Sequence, residues 1–300
     1  MSEVTIIEVG PRDGLQNEQK FVPTEKKMEL IQKLLNAGIQ RLEATSFVHP
    51  KKVPQMADAS EIMKALADQR SVSLSALIPN LKGYERACAH RIDEVNWVTA
   101  ASQTFNARNI NHSVEENLEE FKKLVPAAKQ AGIKIRFSIA ASFGCPYEGK
   151  INEESVIALV NQAIEAGADE IGVADTIGIA VPDQVFALCS RLLQNVGSTP
   201  LAIHLHDTRG LALANTYAAY TAGIRVFEAA VGGLGGCPFA PGAAGNVATE
   251  DVVYMFERMN VKTGIDFPKI LDASDFAVSL SQRNPLGRIR LVEDRMKPTI

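Results

Sequence analysis

The chain has 300 residues, of which 46% are hydrophobic and 22% are charged. These values are typical of a globular protein with a sizeable core, and the length suits one α/β barrel. The net charge of −4 gives no reason to expect nucleic acid or an anionic membrane as a partner. The N-terminus reaches a charged loop early and no apolar run could cross a bilayer, so we expect no signal peptide, no membrane association and a cytoplasmic location.

The four cysteines show no Cys-x-x-Cys pair, so neither a disulfide framework nor a zinc ribbon is expected. Cys88 and Cys189 fall in helical patterns, which favours small buried side chains. Cys237 lies in a Gly-rich segment that offers little core to bury a thiol, and Cys145 is intermediate.

A pattern beginning NAGIQRLEA at Asn36 recurs in outline as QAGIKIRFS, EAGADEIGV and TAGIRVFEA. Each copy places Ala-Gly before a short apolar run. This predicts a helix that ends at a glycine in the left-handed conformation and is followed by a strand. The glycines concerned are Gly38, Gly132, Gly167 and Gly223.

Eight short runs rich in Val, Ile and Phe predict buried parallel strands, and a helical pattern follows each of them. In chain order the runs are VTIIEV, RLEATSF, SVSLSAL, EVNWVTA, KIRFSIA, EIGVAD, LAIHLH and VFEAAV. This regularity predicts an α/β fold of the (β/α)8 TIM-barrel type in a single domain, whereas a doubly wound open sheet would not normally need eight such units. We expect the barrel to occupy residues 1–264, with a C-terminal helix and tail packed on it over residues 265–300.

Unexpected polar residues occur where predicted strands end or just after them, which is where TIM barrels carry their functional groups. Because closing a barrel brings strand 8 beside strand 1, strands 6, 7, 8, 1 and 2 form a continuous arc. We therefore expect the candidates to be neighbours in space. They are Arg12 and Asp13 after strand 1, Glu43 in strand 2, Asp175 at strand 6, His204 and His206 in strand 7, and Cys237 and Asn246 after strand 8.

His204 and His206 are two residues apart on a predicted strand, so their side chains point the same way. Together with Asp13 they form a set of possible metal ligands, and we favour this interpretation over two hydrogen-bonded core histidines. Nitrogen and oxygen ligands without thiolate suit Mg²⁺ or Mn²⁺, while Zn²⁺ stays an alternative.

The remaining candidates have both structural and functional interpretations. Arg12 could stabilise an oxyanion or form a structural ion pair with Glu43 or another carboxylate. Glu43 and Asp175 could orient a ligand, donate a proton or pair with a cation. Cys237 could act from a mobile loop, since glycines allow that segment to move.

Several motifs resemble the hydroxymethylglutaryl-CoA lyase family, a branch of the metal-dependent aldolase and Claisen-type TIM barrels. They are GPRDGLQNE, LEATSFVHPKKVPQMAD, GCPYEGKI, ADTIG, HLHDTRGLALAN and GGLGGCPFAPGAAGNVATEDVVYM. The last contains a particularly specific family signature, GGLGGCP. The resemblance extends from about Ile6 to Thr263, with a departure at Gln103, where the family would have Glu.

The resemblance implies cleavage of 3-hydroxy-3-methylglutaryl-CoA to acetyl-CoA and acetoacetate, with an acyl-CoA as partner and a homodimer as the assembly. It implies Mg²⁺ or Mn²⁺ bound by Asp13, His204, His206 and Asn246. Arg12 corresponds to the arginine at the enolate oxygen, Cys237 to the catalytic cysteine, and Glu43 and Asp175 to supporting acids. The proton acceptor stays open between His204 and Asp175. Alternatives are a lyase for longer branched esters, a Claisen-type synthase using a 2-oxo acid, and a barrel that has lost catalysis.

Overall fold

The computed structural model describes residues 3–236, 245–282 and 287–292. Cys237 and most of the predicted tail therefore lie outside the described residues. Within the described part, no helix is both long and apolar enough to cross a membrane.

Eight parallel strands form a closed barrel in which each strand pairs with the next and β8 pairs with β1. The predicted (β/α)8 fold and all eight predicted strands are confirmed. The strands are β1 Thr5–Glu8, β2 Arg41–Ser46, β3 Ser73–Ile78, β4 Glu94–Ala100, β5 Lys134–Ala140, β6 Glu170–Asp175, β7 Leu201–Leu205 and β8 Val226–Ala229.

Helices cover the outside of the barrel, and α5 is preceded by the short extra helix α4. The C-terminal helix α10 packs against α1 and α9, whereas the domain boundary at residue 264 stays a prediction. The helices are α1 Thr24–Asn36, α2 Ala59–Ala65, α3 Leu81–Ala87, α4 Gln103–Ile110, α5 Val114–Ala131, α6 Glu153–Ala166, α7 Pro182–Asn195, α8 Ala212–Ala222, α9 Thr249–Arg258 and α10 Phe267–Leu280.

The repeated Ala-Gly pattern marks helix ends, as predicted. Gly38, Gly132, Gly167 and Gly223 follow α1, α5, α6 and α8, and all four have positive φ. Gly38 is the most restricted, with φ of 93° and only 2.7 Å between a hypothetical Cβ and the carbonyl oxygen of Gly264. A glycine lets the chain turn from helix to strand at these points.

The two faces of the strands have different chemistry. Outward-facing rings pack under the helices, as where Phe137 of β5 meets Phe121 of α5 edge-on at 4.7 Å. The barrel interior instead holds charged side chains that meet across it: Arg41 of β2 pairs with Glu170 of β6 at 2.8 Å. Interiors of such barrels are usually filled by bulky aliphatic side chains, so this polar interior requires an explanation.

Among the three described cysteines, one differs from the prediction in its burial. Cys189 is buried in α7, as predicted, and Cys145 is also buried. Cys88 is exposed and lies just beyond the last residue of α3. The prediction of a buried helical Cys88 was wrong: Cys88 is the C-cap residue of α3, and it is exposed at this helix end.

Candidate active site and metal-binding group

A π-helical turn, Gly10–Gly14, places Arg12 and Asp13 directly beyond β1. The carbonyl of Val9 accepts hydrogen bonds from the amides of Arg12 and Asp13 at 3.1 and 2.7 Å, which curls the chain sharply over the barrel mouth. Gly10 is required here because a Cβ would lie 2.6 Å from Oε1 of Glu8. Turns of this kind occur frequently at functional sites.

Asp13, His204 and His206 meet at the carboxyl ends of the strands, as the predicted arc requires. One potential ligand atom from each residue lies within 4.8 Å of the others. The two imidazole rings are 4.9 Å apart between centroids. Although burial would raise the pKa of Asp13, Arg12 and His204 lower it well below its usual range, so Asp13 is ionised.

Glu228 of β8 fixes the orientation of His204. Its Oε2 lies 2.8 Å from Nδ1 of His204. Burial alone would lower the pKa of His204, but the hydrogen bond and charge of Glu228 raise it. A histidine whose Nδ1 donates to a carboxylate presents Nε2 as its free ligand atom, as is typical of metal-binding histidines.

Asn246 completes the group from the segment after β8. Its Nδ2 donates to Oδ2 of Asp13 at 2.8 Å and to the carbonyl of Leu234 at 3.0 Å. Backbone bonds link the segment to the end of β7: Val247 donates to the carbonyl of Leu205 at 3.0 Å. The predicted candidates Asp13, His204, His206 and Asn246 are therefore brought together.

The donor set fits a divalent cation. Oδ1 of Asn246 and Nδ1 of His206 are buried and have no hydrogen-bond partner among the described residues. Burial and the neighbouring His204 lower the pKa of His206 to about 4, so its ring is neutral at pH 7. Buried polar atoms without partners are costly, and a cation bound by Oδ1 of Asn246 would satisfy that oxygen.

Arg12 is buried beside the ligands and forms ion pairs with Asp13 and Glu43. Burial opposes its charge, but Glu43 and Asp13 raise its pKa further above its already high value. Its Nη1 and Nε are used in these pairs, whereas Nη2 has no partner among the described residues. Both interpretations given above therefore apply to Arg12. Its ion pair with Glu43 fixes the guanidinium, and the remaining Nη2 donor of that guanidinium is available to an oxyanion.

Arg136 of β5 was not identified from the sequence, yet it joins the two halves of the site. Its guanidinium is fully buried and lies 2.9 Å from Oε2 of Glu43 and 2.7 Å from Oε1 of Glu228. One side chain therefore supports both Arg12, through Glu43, and His204, through Glu228. The available signal was a charged residue inside the apolar run KIRFSIA.

Asp175 lies at the end of β6, where it was predicted, and is not a member of the group formed by Asp13, His204 and His206. Its two carboxylate oxygens accept the backbone amides of Ile179 and Ala180, each at 2.9 Å. Burial raises the pKa of Asp175. The observed contacts organise the loop after β6.

Two further buried acids, also not identified from the sequence, hold the start of the Gly-rich segment. Glu8 accepts the amide of Val231 at 3.0 Å, and Glu250 accepts the amide of Gly232 at 2.9 Å. Burial raises the pKa of both carboxyls to about 7. The segment leads to Cys237, which lies outside the described residues.

A closed (β/α)8 barrel with two histidines, an aspartate and a buried arginine at its carboxyl face is the arrangement of a TIM-barrel enzyme with a candidate metal site. The family model "HMGL-like" matches residues 3–277. The chain therefore belongs to the HMGL-like family.

Individual relatives agree with this assignment. The mitochondrial hydroxymethylglutaryl-CoA lyase of Bos taurus is 45% identical over 96% of this chain and 88% of its own. The solved HMG-CoA lyase of Bacillus subtilis superposes with a TM-score of 0.93 at 42% identity, covering 97% of each chain. That of Acinetobacter baumannii, solved with coenzyme A and 3-methylmalate, gives a TM-score of 0.93 at 39% identity, covering 99% of this chain and 98% of that one.

Proposed function

We propose that this chain is a carbon–carbon lyase that cleaves 3-hydroxy-3-methylglutaryl-CoA to acetyl-CoA and acetoacetate. The observation that carries the proposal is the placement of Arg12 beside Asp13, His204 and His206, in a chain similar to HMG-CoA lyases over nearly its whole length. Mg²⁺ or Mn²⁺ is the proposed cation, since imidazole, carboxylate and amide oxygen are ligands that both accept.

The reaction is a retro-Claisen cleavage. The tertiary hydroxyl loses its proton, its carbon becomes the keto carbon of acetoacetate, and the electrons of the broken carbon–carbon bond pass to the thioester enolate. Protonation of the enolate carbon gives the methyl group of acetyl-CoA, so no net proton is gained or lost. When bound, a divalent cation would supply Lewis acidity at the substrate hydroxyl.

Arg12 is the residue that we assign to the enolate. Its charge is held in place by Glu43 and Asp13, with side chains almost completely removed from water. A preorganised cation in such surroundings stabilises charge that develops in the transition state more than it stabilises the neutral thioester. Glu43 is accordingly a positioning residue.

For the proton acceptor we propose Asp175 rather than His204. Nδ1 of His204 is held by Glu228, and Nε2 is assigned to the cation. Each oxygen of Asp175 accepts one backbone amide and retains a second lone pair. The raised pKa of Asp175 makes it a stronger base than an ordinary aspartate.

The direct test is incubation of the purified chain with 3-hydroxy-3-methylglutaryl-CoA and Mg²⁺, with detection of acetoacetate. We expect chelation to stop turnover and added Mg²⁺ or Mn²⁺ to restore it, because the cation would supply the Lewis acidity at the substrate hydroxyl. A homologous ester with a longer branch serves as the comparison substrate. Failure to cleave any of these esters in the presence of either metal would refute the proposal.

Cys237 is the proposed proton donor to the enolate, supported by its place in the family motif. If it acts from a loop that closes on substrate, thiol alkylation should inactivate the free enzyme, and a substrate analogue should slow that inactivation. The measurement is alkylation of the Cys237 peptide by mass spectrometry alongside residual activity. The buried Cys189 is the internal control and should stay unmodified. Rapid, complete alkylation of Cys237 without loss of activity would exclude the role.

We also propose a cytoplasmic homodimer. Exposed apolar side chains lie on or directly before the neighbouring helices α7 and α8, and the described cysteines are free, which suits a reducing compartment. Light scattering of the purified chain tests the dimer, and cell fractionation tests the location. The exposed side chains are Ile179, Val181, Phe186 and Tyr217.

A further inference from the structure

The segment between the π-helical turn and α1, residues 15–23, touches both sides of the candidate site. Gln16 donates to Oδ1 of Asp13 at 3.0 Å. Asn17 donates to the carbonyl of Gly236 at 3.0 Å, and Gly236 directly precedes Cys237. The position of this segment, which we call the β1–α1 loop, therefore affects a metal-ligand candidate and the start of the Gly-rich segment together.

One glutamine outside the site satisfies the backbone of this loop. Gln55 donates to the carbonyls of Glu18 and Lys20 at 2.7 and 2.5 Å, and it accepts the amide of Val22 at 3.1 Å. Residues 18–23 belong to no helix or strand, so these side-chain bonds replace the pairing that regular structure would provide.

Gln55 is in turn held by a buried ion pair. Nζ of Lys27 donates to the backbone carbonyl of Gln55 and lies 2.8 Å from Oδ1 of Asp58. The Lys27 side chain is completely buried and that of Asp58 is 5% exposed. Thr24 also donates to Asp58, at 3.0 Å. The ammonium thus bridges the first turn of α1 to the chain that precedes α2.

A purely stabilising role accounts poorly for this arrangement. Buried ion pairs are weak sources of stability, and apolar side chains of similar volume often serve as well or better. What the pair provides is a directed bond to Gln55, whose side chain points into the β1–α1 loop. Burial lowers the pKa of Lys27, although Asp58 opposes that shift.

We propose that Lys27 is a positioning residue for the reaction of this site: through Gln55 it holds the β1–α1 loop so that Gln16 and Asn17 keep Asp13 and the Gly-rich segment in register. The proposal rests on the proposed lyase function for its kinetic test, but the contacts themselves predict effects on metal binding as well.

The experiment compares Lys27→Met, the double variant Lys27→Met/Asp58→Leu and the control Lys26→Met. Lys26 is the neighbouring exposed lysine, paired with Glu29. The single variant leaves Asp58 buried without its cation and is expected to lower Tm. The double variant removes that unpaired charge and should recover Tm, yet it still lacks the bond to Gln55.

We expect kcat and Mn²⁺ affinity to fall about tenfold or more in both Lys27 variants, as when support for metal ligands is lost, with KM much less affected. Lys26→Met should match wild type. Two outcomes would overturn the proposal. One is that kcat and Mn²⁺ affinity recover together with Tm in the double variant. The other is that Lys27→Met lowers Tm but leaves kcat and Mn²⁺ affinity unchanged. If the wild-type protein cleaves no ester, Mn²⁺ affinity and the alkylation rate of Cys237 in the Lys27 variants still test the positioning role. Failure of the positioning role can therefore be distinguished from failure of the proposed lyase function.

Discussion

Replacing Arg12 with Gln is expected to lower kcat by roughly two to three orders of magnitude, the effect of losing a preorganised donor to a developing oxyanion, about 3–4 kcal/mol. Arg12 is 6% exposed, and Glu43 and Asp13 fix two of its guanidinium nitrogens. The enolate charge does not exist in the ground state, so KM should change much less than kcat. Steady-state kinetics with 3-hydroxy-3-methylglutaryl-CoA at saturating Mg²⁺ provides the measurement.

Two controls make this result specific. Arg12→Lys keeps a charge but loses the forked donors, so we expect it to stay well below wild type. Mn²⁺ affinity should also be measured, because Arg12 contacts Asp13 and its loss could weaken the metal group. An Arg12→Gln enzyme with normal kcat and a large rise in KM would identify Arg12 as an anchor for the substrate carboxylate or the CoA moiety instead.

The fold was predictable from the sequence because its signals are local. Each strand is a short apolar run, and five of the turns from helix to strand contain a glycine with positive φ. The strands are shorter than predicted at β1 and β8. At β1 the next residues enter the π-helical turn at Gly10, and after β8 the chain enters the 3-10 turn Val231–Gly233. Val9 and Val231 are apolar and were therefore predicted to be strand residues, but the turns at these points end the strands before them.

The grouping of the candidate metal-binding residues was predictable for a different reason. Barrel closure brings strand 7 close to strand 1, so residues separated by about 190 positions become neighbours in space. Asp13, His204, His206 and Asn246 all lie at or beyond strand ends, where a TIM barrel exposes its functional groups. The spacing of the two histidines put both on one face, and the structure places their rings 4.9 Å apart.

The side chains that hold the candidate metal-binding residues and Arg12 in place, Arg136 and Glu228, could not be predicted from strand ends. Both lie within strands and face the barrel interior. Their partners come from across the barrel, and a sequence cannot show which side chains reach each other there. A charge inside an apolar run did identify Glu43, and the same criterion applied to β5 and β8 would have identified the other two. The contacts of Asp175 were also hidden, since they involve backbone amides of its own loop.

The polar interior of the barrel suggests the second large effect. Arg136 is fully buried among four carboxylates, with Glu43 and Glu228 in hydrogen-bonding contact and Glu94 and Glu170 at 3.5 and 3.9 Å. The second arginine, Arg41, bridges the latter two. Removing Arg136 would thus leave two buried carboxylates that each lack one of their cations: Glu43 would keep Arg12, and Glu228 would keep His204.

We expect Arg136→Met to destabilise the fold by about 3–5 kcal/mol, the cost of breaking a buried ion pair from one side. The Met side chain fills much of the volume, so the loss is electrostatic rather than a cavity effect. The matched control is Arg191→Met at the exposed pair with Glu153 and Glu154, which should change the free energy of unfolding far less than Arg136→Met does. Chemical denaturation at pH 7 measures both values.

Activity should fall further than stability explains, because Arg136 supports Arg12 through Glu43 and His204 through Glu228. Turnover per folded molecule and Mn²⁺ affinity are therefore both expected to drop in Arg136→Met, by about tenfold or more for each, as when outer support of metal ligands is removed. Arg136→Lys restores a charge without the fork that spans the two carboxylates, so it should recover part of the stability but little of the turnover. A folded Arg136→Met protein with wild-type turnover and metal affinity would show that the central arginine balances charge in the barrel and does not position the site.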